Sequence, residues 1–250
     1  MDRTLLVAGI GPGAPDLMTV QVRKALDDCD VVAGYSVYVD LVKPLIPGKE
    51  VISTPMRQEE ARCRAALECA SSGKKVLFIC SGDAGVYGMA GLLYELAAAY
   101  PDVSIKILPG ITAATSGAAV LGSPLTNDFA VISLSDLLTP RQVIEKRLRA
   151  AAQGDFCIVL YNPSSHKRKD YLAAACRILL EYLPPERCCG YVERIGRDGE
   201  RSFICTLAEL EHRCVDMFTT VFIGNESTKV VGGRLITPRG YRFEQAIKEL

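Results

Sequence analysis

Gly9-Ile10-Gly11-Pro12-Gly13, Ser81-Gly82-Asp83-Ala84-Gly85 and Pro109-Gly110-Ile111-Thr112-Ala113 are three glycine-bearing turns, and each directly follows a short run of strand-like residues. We call them the first, second and third loops. In an open α/β sheet, ligands bind outside the carboxyl ends of the strands, and glycine lets a backbone approach a ligand closely. We therefore expect the three loops to lie along one edge of a parallel sheet and to wrap a small polar molecule.

Composition indicates a globular protein that binds a small molecule. The chain has 250 residues, of which 49% are apolar, so it can bury a large core in one or two domains. Its 29 basic residues balance 29 acidic ones, and no long block of one sign occurs. This balance argues against non-specific binding to nucleic acid or to anionic membranes.

The N-terminal apolar run Leu5-Leu6-Val7-Ala8 is too short for a signal peptide, and the glycine-proline turn of the first loop interrupts it. No stretch approaches the roughly 18 uncharged apolar residues that a membrane span needs. We therefore expect a cytoplasmic protein without a membrane anchor.

The cysteines predict neither a disulfide framework nor a metal site. None of them forms a C-x-x-C pair, so we interpret most as small buried residues that stay reduced in the cytosol. The ten are Cys29, Cys63, Cys69, Cys80, Cys157, Cys176, Cys188, Cys189, Cys205 and Cys214.

Strand-like and helix-like segments alternate in the first half, which predicts an α/β fold with a mostly parallel sheet. The predicted strands there are Leu5–Ala8, Val31–Val32, Val51–Ile52, Val76–Ile79 and Val103–Leu108. The predicted helices are one that Thr19 caps, Glu59–Ala70, Ala90–Ala99 and the small-residue run 113–119.

We place a domain boundary where Gly122-Ser123-Pro124 breaks the helical pattern, giving domains 1–122 and 123–250. The second domain is predicted to be another α/β unit, with some antiparallel pairing around the turn Arg197-Asp198-Gly199-Glu200. Its predicted strands are Ala130–Leu134, Cys157–Tyr161, Gly190–Val192, Ser202–Cys205 and Thr219–Ile223. Its predicted helices are Pro140–Ala152, with Pro140 in the first turn, and Lys169–Tyr182.

A nicotinamide or flavin oxidoreductase is one alternative, because residues 9–14 fit the loose G-x-G-x-x-A pattern of dinucleotide-binding folds. Two features weaken it. Pro12 and Pro15 remove amide donors from the turn, and Leu17–Thr19 delay the start of the helix. In addition, Ala33-Gly34-Tyr35 stands after the second strand, where an acid would bind the ribose.

The other two loops each have a simpler structural interpretation. Asp83 can cap a strand-to-helix turn, or it can hold a cation or a ribose hydroxyl. Thr112 can begin the next helix, or its hydroxyl can face a ligand carboxylate. Only their expected placement on one sheet edge favours a ligand.

The three loops together resemble the tetrapyrrole methylase family, and the resemblance extends over nearly the whole chain. It implies a class III methyltransferase fold of two α/β domains, with S-adenosylmethionine in the cleft between them, and a homodimer. The partner of such a protein is a tetrapyrrole. Family members usually have proline after the aspartate of the second loop, whereas this chain has Ala84.

Within the family, several runs are similar to members that methylate a corrin precursor at C-17 in cobalamin biosynthesis, a reaction joined to ring contraction. Those members commonly have histidine before Asp128-Phe129, where this chain has Asn127; its only histidines are His166 and His212. The similar runs are Met56–Glu59, Tyr87–Gly91, Asp128–Pro140, Leu160–Pro163, Asp216–Thr220 and Thr237–Tyr241.

The resemblance also implies site residues. Those expected to contact S-adenosylmethionine are Pro12, Ser81, Gly82, Asp83, Val86, Thr112, Ala113, Asn162 and Thr206. Arginines suit the carboxylates of a tetrapyrrole, and Arg57, Arg234 and Arg239 lie in motif-like runs. Asp128, Asp136 and Tyr87 are candidates for proton handling, although Asp136 can instead cap the following segment, and Asn162 can form a simple Asn-Pro turn.

Three alternatives to this reading stay open: methylation of another tetrapyrrole position or another substrate, a nicotinamide-dependent oxidoreductase, and a non-catalytic tetrapyrrole carrier. The sequence does not distinguish a cobalt-containing substrate from a cobalt-free one.

Overall fold

The computed structural model describes residues 3–165 and 169–241, and these contain thirteen strands and eight α-helices. The strands are β1 (Thr4–Gly9), β2 (Val31–Tyr35), β3 (Glu50–Thr54), β4 (Val76–Cys80), β5 (Ser104–Leu108), β6 (Gly122–Ser123), β7 (Phe129–Ser133), β8 (Cys157–Tyr161), β9 (Cys188–Glu193), β10 (Arg201–Thr206), β11 (Thr219–Ile223), β12 (Lys229–Val231) and β13 (Arg234–Ile236). The helices are α1 (Val20–Asp28), α2 (Ser36–Val42), α3 (Glu59–Ser71), α4 (Ala90–Ala97), α5 (Ala113–Leu121), α6 (Arg141–Gln153), α7 (Tyr171–Leu180) and α8 (Leu207–Glu211).

The described residues divide into two compact units. The first unit runs to Ser116 and includes Gly196–Asp198, while the second contains Gly117–Ile195 and the residues from Gly199 onward. This division falls inside α5. The expected boundary between independently folding domains at residue 122 stays a prediction.

The first unit contains a five-stranded sheet in the order β3-β2-β4-β1-β5, and every pair in it is parallel. This confirms the parallel α/β fold that the alternating segments predict. The central strand β4 is buried along its whole length, which explains its unbroken apolar sequence Val76–Cys80.

Helices cover both faces of this sheet. One buried cluster joins α1 and α2 to the sheet, and a separate cluster joins α3 and α4 to the sheet. As predicted, Thr19 is the N-cap of α1: its Oγ1 accepts a hydrogen bond from the Val22 amide at 3.3 Å. The late start of α1 at Val20 leaves ten residues between the end of β1 and the helix.

The second unit contains a mixed sheet in the order β10-β9-β11-β8-β7. Strands β7 and β8 are parallel, whereas the other three pairs are antiparallel, including the predicted β9–β10 hairpin. Its largest buried cluster packs α6, α7 and α8 against the sheet. The predicted first-turn position of Pro140 is wrong: Pro140 has extended backbone angles and is the residue before the helix, which begins at Arg141.

A second, three-stranded sheet was not predicted. It has the order β12-β13-β6, and the tight turn between β12 and β13 contains Gly232 and Gly233, both with positive φ. Its strands have only two or three residues, too few for a clear alternating pattern. Short helices α2 and α8 escaped prediction for the same reason.

All ten cysteines are free thiols, and seven are buried. Across residues 3–165 and 169–241, no helix combines the length and the apolar character that a bilayer crossing requires. The same part of the chain contains no group of three or more His, Cys, Asp or Glu residues arranged to hold a metal ion.

Candidate functional site

The first and second loops meet at the point where the connections of the first sheet change direction. Strands β1 and β4 are neighbours, but the chain leaves β1 for α1 on one face and leaves β4 for α4 on the other face. In open α/β sheets, the crevice at such a switch point is the usual ligand site.

The backbones of these two loops pair with each other. The Gly11 amide donates to the Gly82 carbonyl oxygen at 3.1 Å, and the Gly82 amide donates to the Gly11 carbonyl oxygen at 2.7 Å. Both glycines have left-handed φ angles, 76° and 67°, which residues with side chains rarely adopt. The prediction that these loops lie together is confirmed.

Asp83 ties the second loop to itself and to the third loop. Its Oδ1 accepts hydrogen bonds from the amides of Gly85 at 2.8 Å and Val86 at 3.2 Å, and its Oδ2 accepts one from the Gly110 amide at 2.9 Å. The carboxylate therefore organises the backbone of the site. This is the capping role that the sequence left open, extended across two loops.

The link from Asp83 to Gly110 passes over the end of β1, because β1 lies between β4 and β5 in the sheet. A Cβ on Gly9 would lie 2.5 Å from the Gly82 carbonyl oxygen and 2.9 Å from the Gly110 Cα. A Cβ on Gly110 would lie 2.1 Å from that same oxygen. These two glycines are required because three strand ends converge within contact distance.

Gly82 has a different surrounding. A Cβ there would lie 3.6 Å from the Thr112 Cα and 3.7 Å from the Ala113 amide nitrogen, at ordinary contact distance. A side chain at position 82 would therefore occupy the space between the second and third loops. The three atoms nearest to such a Cβ all belong to the backbone of residues 111–113, so main chain borders this space.

Arg197 is a site residue that the sequence interpretation missed. Its Nε donates to the Pro12 carbonyl oxygen at 2.9 Å, and its Nη2 donates to the Ser81 Oγ at 3.1 Å. In the chain it lies between β9 and β10, yet Gly196–Asp198 is counted with the first unit. The sequence predicts only a turn in this segment. Nothing in a turn motif indicates that its arginine binds two loops far away in the chain.

Burial shifts the ionisation of groups near Arg197. Loss of solvent lowers the pKa of Arg197, and the nearby Tyr38 partly offsets this shift. Burial likewise raises the pKa of the Tyr38 phenol, and the Arg197 charge opposes that rise. Cys80, at the end of β4, has its pKa raised to about 11 mainly by burial, so its thiol is protonated at neutral pH.

Arg62 is a buried arginine close to this edge of the sheet. Only 3% of its surface is exposed, and its Nη1 donates to the Thr54 and Pro55 carbonyl oxygens at 3.3 and 3.4 Å. It therefore fixes the segment that follows β3 and leads to Arg57. Arg57 itself is exposed and has a left-handed φ of 71°.

In the second unit, Asn162 follows β8 with a left-handed φ of 54°. Its Nδ2 donates to the Ser133 Oγ at 2.9 Å, and Ser133 ends the parallel neighbour β7. An asparagine held in this conformation before a proline is a strained position of the kind that concentrates at functional sites. Its contact with a cofactor stays a prediction.

The remaining candidates of the second unit have structural partners. Tyr171 Oη donates to Asp136 Oδ2, so Asp136 contacts α7. Thr206 is the N-cap of α8 and forms a capping box. Its Oγ1 accepts a hydrogen bond from the Glu209 amide, and the Glu209 carboxylate accepts one from the Thr206 amide. The Asp128 carbonyl oxygen accepts from the Cys157 amide, an interaction of its backbone only.

The other predicted positions are more exposed. Tyr87 is 54% exposed and has a left-handed φ of 54°. Arg234 Nη1 donates to the Val120 carbonyl oxygen at 2.9 Å, and Arg239 is exposed. Asn127 Nδ2 donates to the Pro238 carbonyl oxygen at 3.3 Å. His212 follows the end of α8, while His166 lies outside the described residues.

The fold and the loop geometry define an α/β protein of the class III methyltransferase type. The structure superimposes on a crystal structure described as the methyltransferase CobJ, with a TM-score of 0.87 and 38% sequence identity, over 94% of this chain and 99% of the other. The expected position of a cofactor stays a prediction.

The chain belongs to the tetrapyrrole (corrin/porphyrin) methylase family, whose model matches residues 4–211. It is 46% identical over 238 residues to a probable cobalt-factor III C(17)-methyltransferase of Salmonella typhimurium, covering 95% of this chain and 99% of the relative. It is 37% identical over 235 residues to a precorrin-3B C(17)-methyltransferase of a Sinorhizobium species, covering 92% of each.

Proposed function

We propose that this chain transfers a methyl group from S-adenosylmethionine to C-17 of a cobalt-factor III or precorrin-3B type tetrapyrrole in cobalamin biosynthesis. The observation that carries the proposal is the 46% identity to the Salmonella relative along almost the full length of both chains. The converging loops of the first unit supply the physical basis for binding a donor.

S-adenosylmethionine supplies the methyl group from a sulfonium centre. The residues proposed to contact it are Pro12, Ser81, Gly82, Asp83, Val86, Thr112, Ala113, Asn162 and Thr206. The fit of the first unit to such a molecule rests on Gly82, because the absent side chain leaves space beside Thr112 and Ala113. For Thr206, the capping box occupies the backbone amide and uses the hydroxyl only as an acceptor, so its proposed contact is a hydrogen bond that the hydroxyl donates.

The protein's contribution is orientation. A methyl transfer by direct displacement gains most from holding two reactants in contact and excluding water. Paired glycines and the Asp83 carboxylate fix the loop backbones through hydrogen bonds within the protein. The loops therefore need little rearrangement when a ligand binds, which lowers the entropic cost of binding.

The acceptor carries carboxylates, for which arginines are suitable partners. We propose Arg57, Arg234 and Arg239 for this role. Arg57 and Arg239 are exposed and reach solvent, so a carboxylate can approach them. Arg234 spends one donor on Val120 and retains the capacity of a five-donor guanidinium for a second partner.

Proton handling is proposed for Asp128, Tyr87 and Asp136. Tyr87 is accessible because its side chain is exposed, and it follows the second loop in the chain. Asp136 accepts a hydrogen bond from the Tyr171 hydroxyl, which holds its carboxylate beside the start of α7. We further propose that the protein is cytoplasmic and forms a homodimer. Sedimentation of the purified protein would test the dimer.

The decisive experiment supplies the protein with S-adenosylmethionine carrying a carbon-13 methyl group, and with cobalt-factor III or precorrin-3B in separate reactions. We expect product whose mass increases by one added methyl group and whose carbon NMR places the label at C-17. The preferred substrate decides between the cobalt-containing and cobalt-free routes.

Two results would contradict the proposal. Label at another ring position would assign a different methylase, and tetrapyrrole binding without label transfer would indicate a carrier. Calorimetry with S-adenosylmethionine, S-adenosylhomocysteine and NAD provides the control, because binding of NAD alone would favour an oxidoreductase.

A further inference from the structure

We propose that Arg197 is a positioning residue of the methyl-donor site, and that it acts by holding the first and second loops at the spacing the donor requires. This inference rests on the proposed function. It assigns a role to a residue that sequence motifs do not mark.

The first observation is the pair of hydrogen bonds from one guanidinium. Arg197 donates to the Pro12 carbonyl oxygen and to the Ser81 Oγ, at 2.9 and 3.1 Å. Pro12 directly follows Gly11, and Ser81 directly precedes Gly82. The two hydrogen bonds of Arg197, which we call the Arg197 clamp, therefore lie beside the Gly11–Gly82 backbone pair. Because a guanidinium is planar with donors in a fixed fork, it sets the relative position of both acceptors.

The second observation is that the first loop leaves room for this side chain. A Cβ on Gly13 would lie 2.5 Å from the Arg197 Cγ and 2.9 Å from the Gly196 carbonyl oxygen. Gly196 itself has a left-handed φ of 64°, and a Cβ there would lie 3.1 Å from the Ala14 amide nitrogen. The absence of a side chain at residue 13 is therefore a condition for the position of Arg197.

The third observation is the environment of the charge. Arg197 is half-buried, and burial lowers the pKa of its guanidinium, although arginine still carries its proton at neutral pH. Hydrogen bonds from a charged donor are about twice as strong as neutral ones. The two contacts of Arg197 therefore add strong hydrogen bonds to the backbone bonds that Ile10 forms with Cys80 and Gly11 forms with Gly82.

A positioning role predicts how the affinities for two related ligands change when Arg197 is replaced. S-adenosylmethionine has a positive sulfonium, whereas S-adenosylhomocysteine is a neutral thioether with the same remaining groups. If Arg197 acts through the loops, its removal weakens both ligands by the same factor. If its charge acted directly on the sulfonium, the two affinities would change by different factors.

The test measures dissociation constants for both ligands by calorimetry, together with thermal unfolding, for variants of the full chain. Arg197→Gln removes both the charge and the planar guanidinium, and Arg197→Lys keeps only the charge. Gly13→Ala displaces the Arg197 side chain. Arg201→Gln is the matched control, because Arg201 lies in β10 and forms an exposed ion pair with Glu193.

We expect Arg197→Gln and Gly13→Ala to weaken both ligands about ten- to a hundredfold, the loss that corresponds to hydrogen bonds from a charged group. Arg197→Lys should recover part of the affinity, and Arg201→Gln should match the unmodified protein. Combining Arg197→Gln with Ser81→Ala should cost less than the sum of the two separate losses, because both remove the same contact.

Unchanged affinities in a folded Arg197→Gln protein would overturn this inference alone, as would a change confined to S-adenosylmethionine. If Arg197→Gln fails to fold, Arg197→Lys and Gly13→Ala decide by the same criterion. An unmodified protein that binds neither ligand would instead overturn the proposed function, and the inference with it.

Discussion

Asp83 and Gly110 are joined by a 2.9 Å hydrogen bond that crosses the end of β1 and connects the loops after β4 and β5. The same carboxylate also accepts two amides of its own loop. One acidic side chain thus sets the shape of two of the three loops.

Replacing Asp83 should therefore reduce stability. Asp83→Ala removes an acceptor from three amides, and we expect the free energy of unfolding to fall by about 3 kcal/mol, measured by urea titration. Asp83→Asn should lose less, because one side-chain oxygen still accepts. Asp102→Ala removes only an exposed ion pair with Arg3 and should change stability by less than about 1 kcal/mol. Equal stability of Asp83→Ala and the unmodified chain would show that the loops hold without the carboxylate.

Gly110→Ala should be among the most destabilising single-methyl additions. The new Cβ would lie 2.1 Å from the Gly82 carbonyl oxygen and 2.4 Å from the Gly9 carbonyl oxygen, so the backbone must move. We expect a loss of about 2 kcal/mol or more by thermal unfolding, the upper range for overpacking. Gly91→Ala in α4 meets nothing within 4 Å and should be neutral or stabilising by up to about 1 kcal/mol. A reversed order of the two variants would contradict the packing described for the third loop.

Asn162 offers a way to separate backbone strain from the side-chain contact. Asn162→Gly relieves the left-handed φ but removes the hydrogen bond to Ser133, whereas Asn162→Ala removes the bond and keeps an unfavourable conformation. Equilibrium unfolding should show Asn162→Ala less stable than Asn162→Gly by about 1 kcal/mol. If alanine were the more stable of the two, the strained conformation would not exist in solution.

The buried thiols predict a loss of stability in alkaline solution. Burial raises the pKa of Cys176 from 9.0 to about 12, so the folded protein keeps this proton while the unfolded chain releases it. The stabilisation is present below pH 9 and is lost as the pH rises toward about 12. Cys176→Ala should flatten the decline of the unfolding free energy between these limits, measured by urea titration at successive pH values. The exposed Cys214→Ala should follow the unmodified protein, and a Cys176→Ala curve of the same slope would refute the prediction.

The parallel first sheet was predictable because its strands are short apolar runs between clear helices. Residues 76–80 are buried throughout, and such strands have continuous apolar sequences whatever their neighbours are. The turns after β1, β4 and β5 were predictable for the related reason that glycine marks positions where backbones meet. The order of the strands, in contrast, depends on contacts between distant residues and could only be read from the structure.

The meeting of the three loops was predictable, but the hydrogen bonds that join them were not. Sequence alone offered Asp83 a capping role and a ligand contact; the distance to the Gly110 amide shows the capping role, and the ligand contact stays a prediction. Arg197 was invisible because its partners are 116 and 185 residues away in the chain. Likewise, proline is common in the first turn of a helix, but Pro140 lies one residue before α6, at its N-cap. A sequence pattern does not fix a helix boundary to within one residue.

The clamp by Arg197 has a consequence for biosynthesis of the protein. Residues 3–116 supply every strand of the first sheet, and in a chain made from its N-terminus they emerge from the ribosome well before residue 197. Domains generally fold in the order of synthesis, so this sheet can assemble while translation continues. Its first and second loops nevertheless gain the hydrogen bonds from Arg197 only after residue 197 has been made, so a nascent chain completes the contacts at this sheet edge late.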